Sequence, residues 1–401
     1  KVLNAQSKDS NFLHGEFCGL NSNGNPAPIL KFAKNGRIFL AWADSKLNSY
    51  VSELSAEFKI KTKSLIKIPG HIIYDMTFTK SGIAIIYVSA FFDNQGVYRQ
   101  KPSLYLAKYS YSGSKSFQTL VTGVPRDYKN WRVADQGWNV GGLANLHWTG
   151  NLYAVYANTN RKWEDNVIHQ GDLLHFYNKK GRKVKGGFSW GNSHSFRPLL
   201  AYNGKYIITA TTGDGSPRAL NVSIINSRKL TDYKAHKHKI QLIKASGRGG
   251  ANDSHNSSGG LLANKKSFLF AFDSKEKRSS YDIGFFKVNI KTGKFKKYWL
   301  TKTRNIQERI SKIIRYGKNY LILWGQIKSD IKSGKWLSQK NTSLMAKVVT
   351  SKGKTIVKSQ QLLYNFRGAT KIFNYPNGDI GWINDSYSLN AFEPIRLKVP
   401  K

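Results

Sequence analysis

Apolar residues recur along the chain as pairs of short strands that flank a tight turn. The first pair covers Ile29–Ala33 and Arg37–Ala43, with Asn35-Gly36 between them. Gly and Asn supply the positive φ that tight hairpins need. Six further pairs have their turns at Ser81-Gly82, Gly150, Gly204, Asn264–Lys266, Gly317 and Asn377-Gly378. This pattern predicts seven β-hairpins and very little helix, and Ile306–Ile314, the best helix candidate, fits a strand equally well.

Most hairpins are followed by a third apolar strand, and several units continue through a polar turn into a short fourth strand such as Phe295–Leu300. The predicted third strands are Ser103–Tyr109, Asp172–Tyr177, Ala219–Ile225, Ile283–Ile290, Leu344–Val349 and Ala391–Val399. A four-stranded meander cannot bury both of its faces alone, whereas seven of them packed radially can. The sequence therefore predicts an all-β chain that forms a single seven-bladed β-propeller over residues 28–401.

The last unit has little chain left for a fourth strand after Ala391–Val399. The N-terminal segment, residues 1–27, could supply that strand and close the ring. A pair of β-sandwiches is the alternative fold, but it does not account for seven similar units.

The net charge of the chain indicates which kind of partner it binds. Lys and Arg number 64 against 23 for Asp and Glu, which gives a formal net charge of +41. Solubility needs a net charge of only roughly 2 to 8 in a small domain. An AT-rich genome would explain many lysines but not so few acids. The excess predicts an anionic polymer as partner, in the first place an acidic or sulphated polysaccharide, because such a field concentrates polyanions.

Several other classes are excluded or disfavoured by the sequence. Nucleic acid fits only as a non-specific phosphate partner, because RRM, KH, zinc-finger and helix-turn-helix signatures are absent. No apolar run is long enough for a transmembrane helix. Cys18 is the only cysteine, and EF-hand and P-loop strings are missing, so we expect no metal and no cofactor. The chain starts at Lys1, as it would after removal of a leader, and we expect an extracytoplasmic or secreted protein.

Candidate ligand-binding residues come from the segments before each inner strand and between the second and third strands. These segments share one face of a propeller and surround its central channel. The candidates are Trp163, Arg197, Arg248, His255, Arg278 and Trp336. Aromatic rings beside cations suit sugars that carry anionic groups, and they also suit stacked bases. The Gly- and Ser-rich stretch 246–260 is either a plain loop or a backbone cradle for sulphate or phosphate.

Three strings between Trp138 and Ser195 resemble a family of bacterial secreted or lipoprotein-type β-propellers. They are Trp138-Asn139-Val140-Gly141-Gly142, His169-Gln170-Gly171-Asp172 and Trp190-Gly191-Asn192-Ser193-His194-Ser195. In that family Cys commonly stands where this chain has Asn192. Weaker similarity continues through Asp282-Ile283-Gly284 and Gly378-Asp379-Ile380-Gly381-Trp382. The family has no established activity, so the resemblance implies the fold and not a function.

A looser likeness, in fold and charge only, is to propeller-type polysaccharide lyases, which use His, Tyr and Arg on one face of the ring. In this alternative, His169 or His194 takes the α-proton of a uronic acid, and Arg218 or Arg197 neutralises its carboxylate. Tyr202 would protonate the leaving oxygen. The competing interpretation is that histidines in such turns satisfy backbone groups, and a metal held by three histidines is a further alternative.

Overall fold

The computed structural model describes most of the chain in sixteen stretches. They are residues 28–43, 48–56, 58–68, 71–89, 103–123, 144–162, 168–192, 195–213, 219–230, 239–244, 256–276, 278–304, 306–328, 342–362, 371–386 and 391–398. The strands form seven antiparallel sheets arranged as a β-propeller, which confirms the predicted fold. In the described part of the chain, no helix is long and apolar enough to cross a membrane.

Blades 1 to 3 each contain four strands in chain order from the axis outward. Blade 1 is β1 (Ile29–Phe32), β2 (Ile38–Ala43), β3 (Ser49–Leu54) and β4 (Ile66–Ile68), with a short 3-10 turn at Thr62–Ser64. Blade 2 is β5 (His71–Thr79), β6 (Gly82–Ser89), β7 (Ser103–Tyr109) and β8 (Lys115–Gly123). Blade 3 is β9 (Ala144–Trp148), β10 (Tyr153–Lys162), β11 (Ile168–Tyr177) and β12 (Lys183–Phe188).

Blades 4 to 6 follow the same order. Blade 4 is β13 (Phe196–Tyr202), β14 (Tyr206–Gly213), β15 (Ala219–Asn226) and β16 (Lys239–Lys244). Blade 5 is β17 (Asn256–Ala263), β18 (Ser267–Ser274), β19 (Asp282–Asn289) and β20 (Phe295–Trp299). Blade 6 is β21 (Ile306–Tyr316), β22 (Asn319–Lys328), β23 (Thr342–Val349) and β24 (Thr355–Leu362).

Blade 7 has three described strands, β25 (Phe373–Asn374), β26 (Ile380–Ser386) and β27 (Ala391–Leu397). The segment 1–27, predicted to add its fourth strand, lies outside the described residues. Residues 306–314, which fitted a helix or a strand, lie in β21.

The apolar core lies between neighbouring blades. Ile72 and Ile86 of blade 2 pack in one buried cluster with Val155 and Tyr177 of blade 3. The second strands are the most deeply buried, as β6 shows with seven consecutive buried residues. Both faces of each blade therefore need a neighbouring blade, which is why single meanders do not fold alone.

The two ends of the propeller differ in their connections. Because the strands run antiparallel, the turns from first to second strand and from third to fourth strand lie at one end, here named the hairpin end. The turns of adjacent blades touch there: the side-chain amide of Asn203 donates to the carbonyl of Asn264 at 3.0 Å, and that of Asn374 donates to the carbonyl of Arg315 at 3.1 Å. The connections from second to third strand and from blade to blade lie at the opposite, loop end.

The turns from third to fourth strand repeat one arrangement. In blade 6, Thr350 Oγ1 accepts bonds from the backbone N–H groups of Lys352 and Lys354. Gly353 adopts a φ of +76°, and a Cβ there would lie 2.6 Å from Cδ1 of Tyr298 on the outer strand of blade 5. In the same way, a Cβ at Gly181 in blade 3 would overlap the ring of Phe117 in blade 2. Glycine at each of these positions allows the turn to pack closely against the preceding blade.

Candidate functional site

The described acidic side chains that form ion pairs do so mostly in buried or half-buried positions. Glu53 pairs with Arg37 and, at 2.8 Å, with Lys61. The Arg37 guanidinium bonded to Glu53 is the main reason that the pKa of this carboxyl lies below its usual value. Two further pairs are Arg309 with Asp273 of β18, at 2.8 Å, and Arg396 with Asp379 in the turn before β26, at 2.7 Å.

Other acids are buried behind hydrogen bonds. Glu308 is 2% exposed and accepts a bond from the indole nitrogen of Trp324 at 3.0 Å, and burial raises its pKa. Asp172 is fully buried and accepts bonds from the Tyr156 hydroxyl and the backbone of Asn192. These carboxylates accept hydrogen bonds inside the fold, so they neutralise little of the positive charge on the surface.

The exposed cations of the described chain are concentrated in the turns of the hairpin end. In the turns from first to second strand they are Lys34, Lys80, Lys205, Lys265, Lys266 and Lys318. In the turns from third to fourth strand they are Lys59, Lys61, Lys63, Lys179, Lys180, Arg182, Arg228, Lys229, Lys291, Lys294, Lys352 and Lys354. Among the described residues of these turns, the acid is Asp379, which is buried and paired. Glu57 and Asp232 belong to the same connections and lie outside the described residues.

The segments of sequence that connect strands at the loop end carry both signs of charge. Their acids are Asp44, Asp93, Asp127, Asp135, Glu164, Asp165, Asp214, Asp253, Glu276 and Asp330, interspersed with Lys and Arg. The cationic excess therefore falls unequally on the two ends. The hairpin end is the surface whose composition best suits an anionic partner.

A charged cluster lies where the inner strands converge near the axis; we call Lys31, Asp75, His147 and Lys371 the axial cluster. Lys31 of blade 1 and Lys371, directly before β25 of blade 7, contact the same oxygen of Asp75 in blade 2, at 2.6 and 2.9 Å. The other oxygen of Asp75 accepts the N–H of Leu146 in blade 3 at 3.0 Å. One carboxylate thus ties four blades together.

The protonation of the axial cluster follows from its surroundings. Burial would raise the pKa of Asp75, but Lys31 and Lys371 outweigh it and lower this pKa to about 2. Burial, with a further contribution from Lys31, lowers the pKa of His147 to about 4. Burial lowers the pKa of Lys371 to about 8, although the Asp75 carboxylate opposes this shift. At neutral pH Asp75 is therefore charged, His147 is neutral and Lys371 is mostly protonated.

Tyr202 and Arg278 are the predicted site residues whose side chains the structure describes. The Tyr202 hydroxyl donates to the carbonyl of Gly204 at 2.6 Å, and its ring packs against His147 with 5.2 Å between centroids. Arg278 pairs with Asp282 at 2.5 Å and lies over the ring of Trp299 at 3.8 Å. Arg278 is 18% exposed in its side chain, so its described contacts serve the packing of blade 5.

Tyr202 and His169, one of the two predicted proton acceptors, lie at opposite ends of their strands. Tyr202 ends β13 at the hairpin end, whereas His169 lies near the start of β11 at the loop end. Six residues of strand separate Phe196 from Tyr202, which is about 20 Å. The strands β11 and β13 place the backbones of His169 and Arg197, and their side chains lie outside the described residues, as do the remaining candidates Trp163, His194, Arg218, Arg248, His255 and Trp336.

Two of the strings that suggested a family form one packing unit in blade 3. Asp172 binds both the backbone and the side-chain amide of Asn192, the latter at 3.1 Å. A Cβ at Gly171 would lie 2.8 Å from the ring of Trp190, so only glycine allows this contact. Blade 5 has a similar arrangement: Asp282, at the start of its third strand, accepts a hydrogen bond from the N–H of Thr303 at 2.8 Å. These residues fasten the connection to the next blade.

The glycines that close the predicted anion cradle have a packing role. Residues 245–255 lie outside the described residues, but Gly259 and Gly260 belong to β17. A Cβ at Gly259 would overlap Ser311 of the next inner strand, and one at Gly260 would lie 2.8 Å from the backbone nitrogen of Ile313. The two glycines allow blades 5 and 6 to approach closely near the axis. Within the described ranges, no three His, Cys, Asp or Glu side chains are grouped as metal ligands would be.

Lys31, Asp75 and Lys371 were not among the sequence candidates. The available signal was Asp75 itself, an acid between the apolar and aromatic residues Ile72–Tyr74 and Met76 of β5. A charge in such a strand is rarely buried without a partner. The lysines that pair with Asp75 are distant from it in sequence. The buried acid therefore indicates a charged site but does not identify the residues that complete it.

Comparison with known proteins supports the fold alone. No protein-family model and no curated protein matches the chain, so the strings above remain a resemblance. A solved structure of Kuenenia stuttgartiensis hydrazine synthase is 9% identical with a TM-score of 0.54, covering 95% of this chain and 98% of that chain. A prolyl endopeptidase structure is 9% identical with a TM-score of 0.51, covering 92% of this chain and 46% of that chain. The β-propeller domain of the Trilobed protease from Pyrococcus furiosus is 10% identical with a TM-score of 0.45, covering 85% and 84%.

Proposed function

We propose that this protein is an extracytoplasmic binding protein for an anionic polymer, in the first place an acidic or sulphated polysaccharide. The observation that carries the proposal is the hairpin end, where exposed lysines and arginines stand in the turns while the described acids are buried or paired. The resemblance to secreted propellers supports the location.

A repeated array of short turns suits a long ligand better than a small one. The cations at the hairpin end come from turns of successive blades, so they are spread over a surface and do not converge on one pocket. A polymer with regularly spaced charges can contact several blades at once, and each contact adds to the affinity through release of counterions. The affinity should therefore fall steeply as the salt concentration rises.

Retention on immobilised heparin, measured against salt, tests the proposal. We expect the wild-type chain to bind at low salt, and Lys352→Gln/Lys354→Gln to lower the slope of log affinity against log salt by about one per lost contact. Adding Lys291→Gln/Lys294→Gln in the adjacent blade should lower it further.

The matched control removes two exposed cations from the loop end, Lys302→Gln/Arg304→Gln. This variant has the same net charge as the first double variant, so it separates the hairpin end from charge in general. Equal losses in both variants would contradict the assignment of the binding face, and salt-independent retention of the wild type would contradict polyanion binding itself. Competition with DNA, heparin and uronate polymers would then rank the ligands.

A further inference from the structure

The axial cluster has more positive charge than its one carboxylate can neutralise. Two ammonium groups share one oxygen of Asp75, which holds two like charges close together. Lys31 also donates to the carbonyl of Met76 at 2.7 Å, and Lys371 donates to that of Tyr74 at 3.0 Å. An ammonium group has three donors. With these described partners, each lysine uses two donors and keeps a third.

These lysines are accessible to solvent despite their position near the axis. The side chains of Lys31 and Lys371 are 31% and 30% exposed, while that of Asp75 is 6% exposed. Lys31 is the next-to-last residue of β1, and His147 is the next-to-last residue of β9. Lys34 lies exposed in the following turn. Lys31 and His147 therefore lie toward the hairpin ends of their strands, whereas Lys371 lies at the end of the connection from β24 to β25.

The backbone is shaped to place this charge near the axis. The pairing of β5 with β6 shifts register between Ile73 and Asp75, where a bulge inserts Tyr74. Bulges re-aim side chains and carbonyl groups, and they are frequent next to functional sites. Here the bulge presents the Tyr74 carbonyl to Lys371 and the Asp75 carboxylate to both lysines.

We infer that Lys31 and Lys371 form an oxyanion site near the axis, which receives one carboxylate or sulphate group of the polymer. The third donors of the two lysines would bind the oxyanion, as charge-assisted bonds of this kind are the strong ones. Its natural ligand rests on the proposed function. The same chemistry would bind inorganic sulphate, so the small anion serves as an independent probe.

Thermal unfolding with sodium sulphate, compared with sodium chloride at equal ionic strength, tests the site. We expect sulphate to raise the Tm of the wild type above the chloride value, because a ligand that binds only the folded state stabilises it. Lys371→Met should reduce this difference to the general stabilisation by sulphate, which every variant keeps. Asp75→Asn should lower the Tm without sulphate, since two lysines lose their carboxylate, but should tighten sulphate binding by about tenfold because a competing anion is removed.

Controls separate the axial cluster from surface charge. Lys302→Gln/Arg304→Gln should keep the full sulphate response, and Lys371→Arg should keep most of it if Lys371→Met does not fold. An identical response to sulphate and chloride in the wild type, or an unchanged sulphate response in Lys371→Met and Asp75→Asn, would overturn the inference.

A second arm distinguishes failure of this site from failure of the proposed function. On immobilised heparin, Lys371→Met should elute at lower salt than the wild type. A wild type that ignores heparin but responds to sulphate would refute the polymer and keep the oxyanion site. Heparin retention that depends on the turn lysines but not on Lys371 would refute the axial contact and keep the polymer.

Discussion

At the scale of single residues, the half-buried His147 and the buried His175 should make the fold sensitive to mild acid. Burial lowers the pKa of both His147 and His175 to about 4, with added contributions from Lys31 and Lys183 respectively. The unfolded value is about 6.5. Between these values the unfolded chain takes up protons that the folded chain does not, so stability falls as pH falls, by up to roughly 1.4 kcal/mol per pH unit and histidine.

Urea unfolding at pH 7, 6 and 5 measures this loss. The pKa of Asp75 is about 2, so its ion pairs persist throughout this range and do not account for the slope. The double variant His147→Gln/His175→Gln should therefore flatten the dependence of the free energy of unfolding on pH. A slope equal to that of the wild type would show that neither imidazole is protected from protons in the folded state.

At the scale of elements, the turn glycines test how blades pack on each other. Gly353 and Gly36 have similar φ angles of +76° and +81°, but a Cβ would meet Tyr298 only at Gly353 and finds open space at Gly36. Gly36→Ala should cost about 1–2 kcal/mol of stability from backbone strain alone. Gly353→Ala should cost roughly 1–3 kcal/mol more, because the ring of Tyr298 must move.

Denaturant midpoints of the two alanine variants report this difference. In a Tyr298→Ala background, the additional cost at Gly353 should disappear while the cost at Gly36 stays the same, since the steric partner is gone. Equal costs at the two glycines in the wild-type background would mean that the turn is not seated against the outer strand of blade 5.

The element scale also shows where sequence patterns suffice. Alternating apolar residues and turn residues predicted the hairpin of first and second strands in all seven blades, because both signals are local. The third strand of blade 1, Ser49–Leu54, was not predicted. Its buried residues include Ser52 and Glu53, which bond to the neighbouring turn: Ser52 Oγ to the Lys61 carbonyl, and the Glu53 N–H to Ser64 Oγ, both at 3.0 Å. Polar residues satisfied in this way do not show up in an apolar pattern.

The candidate site was less predictable than the strands. Its partners depend on ring closure, since Lys371 and Tyr74 are 297 residues apart in sequence, and on a bulge that no local pattern reveals. The candidate residues predicted from the sequence lie mostly in the long connections at the loop end, because those connections contain the histidines and tryptophans. The lysines of the hairpin turns are visible in the sequence, but their shared location follows from the common orientation of the blades.

At the scale of the whole molecule, the net charge of +41 sets a dependence on salt. Self-repulsion destabilises a compact state, and its range shrinks from about 30 Å at 0.01 M salt to about 10 Å at 0.1 M. We expect the Tm to rise with sodium chloride over this range. Replacing Lys291, Lys294, Lys352 and Lys354 by Gln should reduce the rise, and a Tm that falls with salt would contradict the expectation.

The short cationic turns lie together at one end of the propeller. The molecule therefore has an asymmetric distribution of positive charge along its channel. A particle with charge spread evenly would adsorb on an anionic layer in any orientation. We expect this one to adsorb preferentially through the hairpin end, with its longer connections turned outward, because the larger cationic excess lies at that end. A bound layer of the protein would then present a uniform outer surface, set by the order in which four strands are connected.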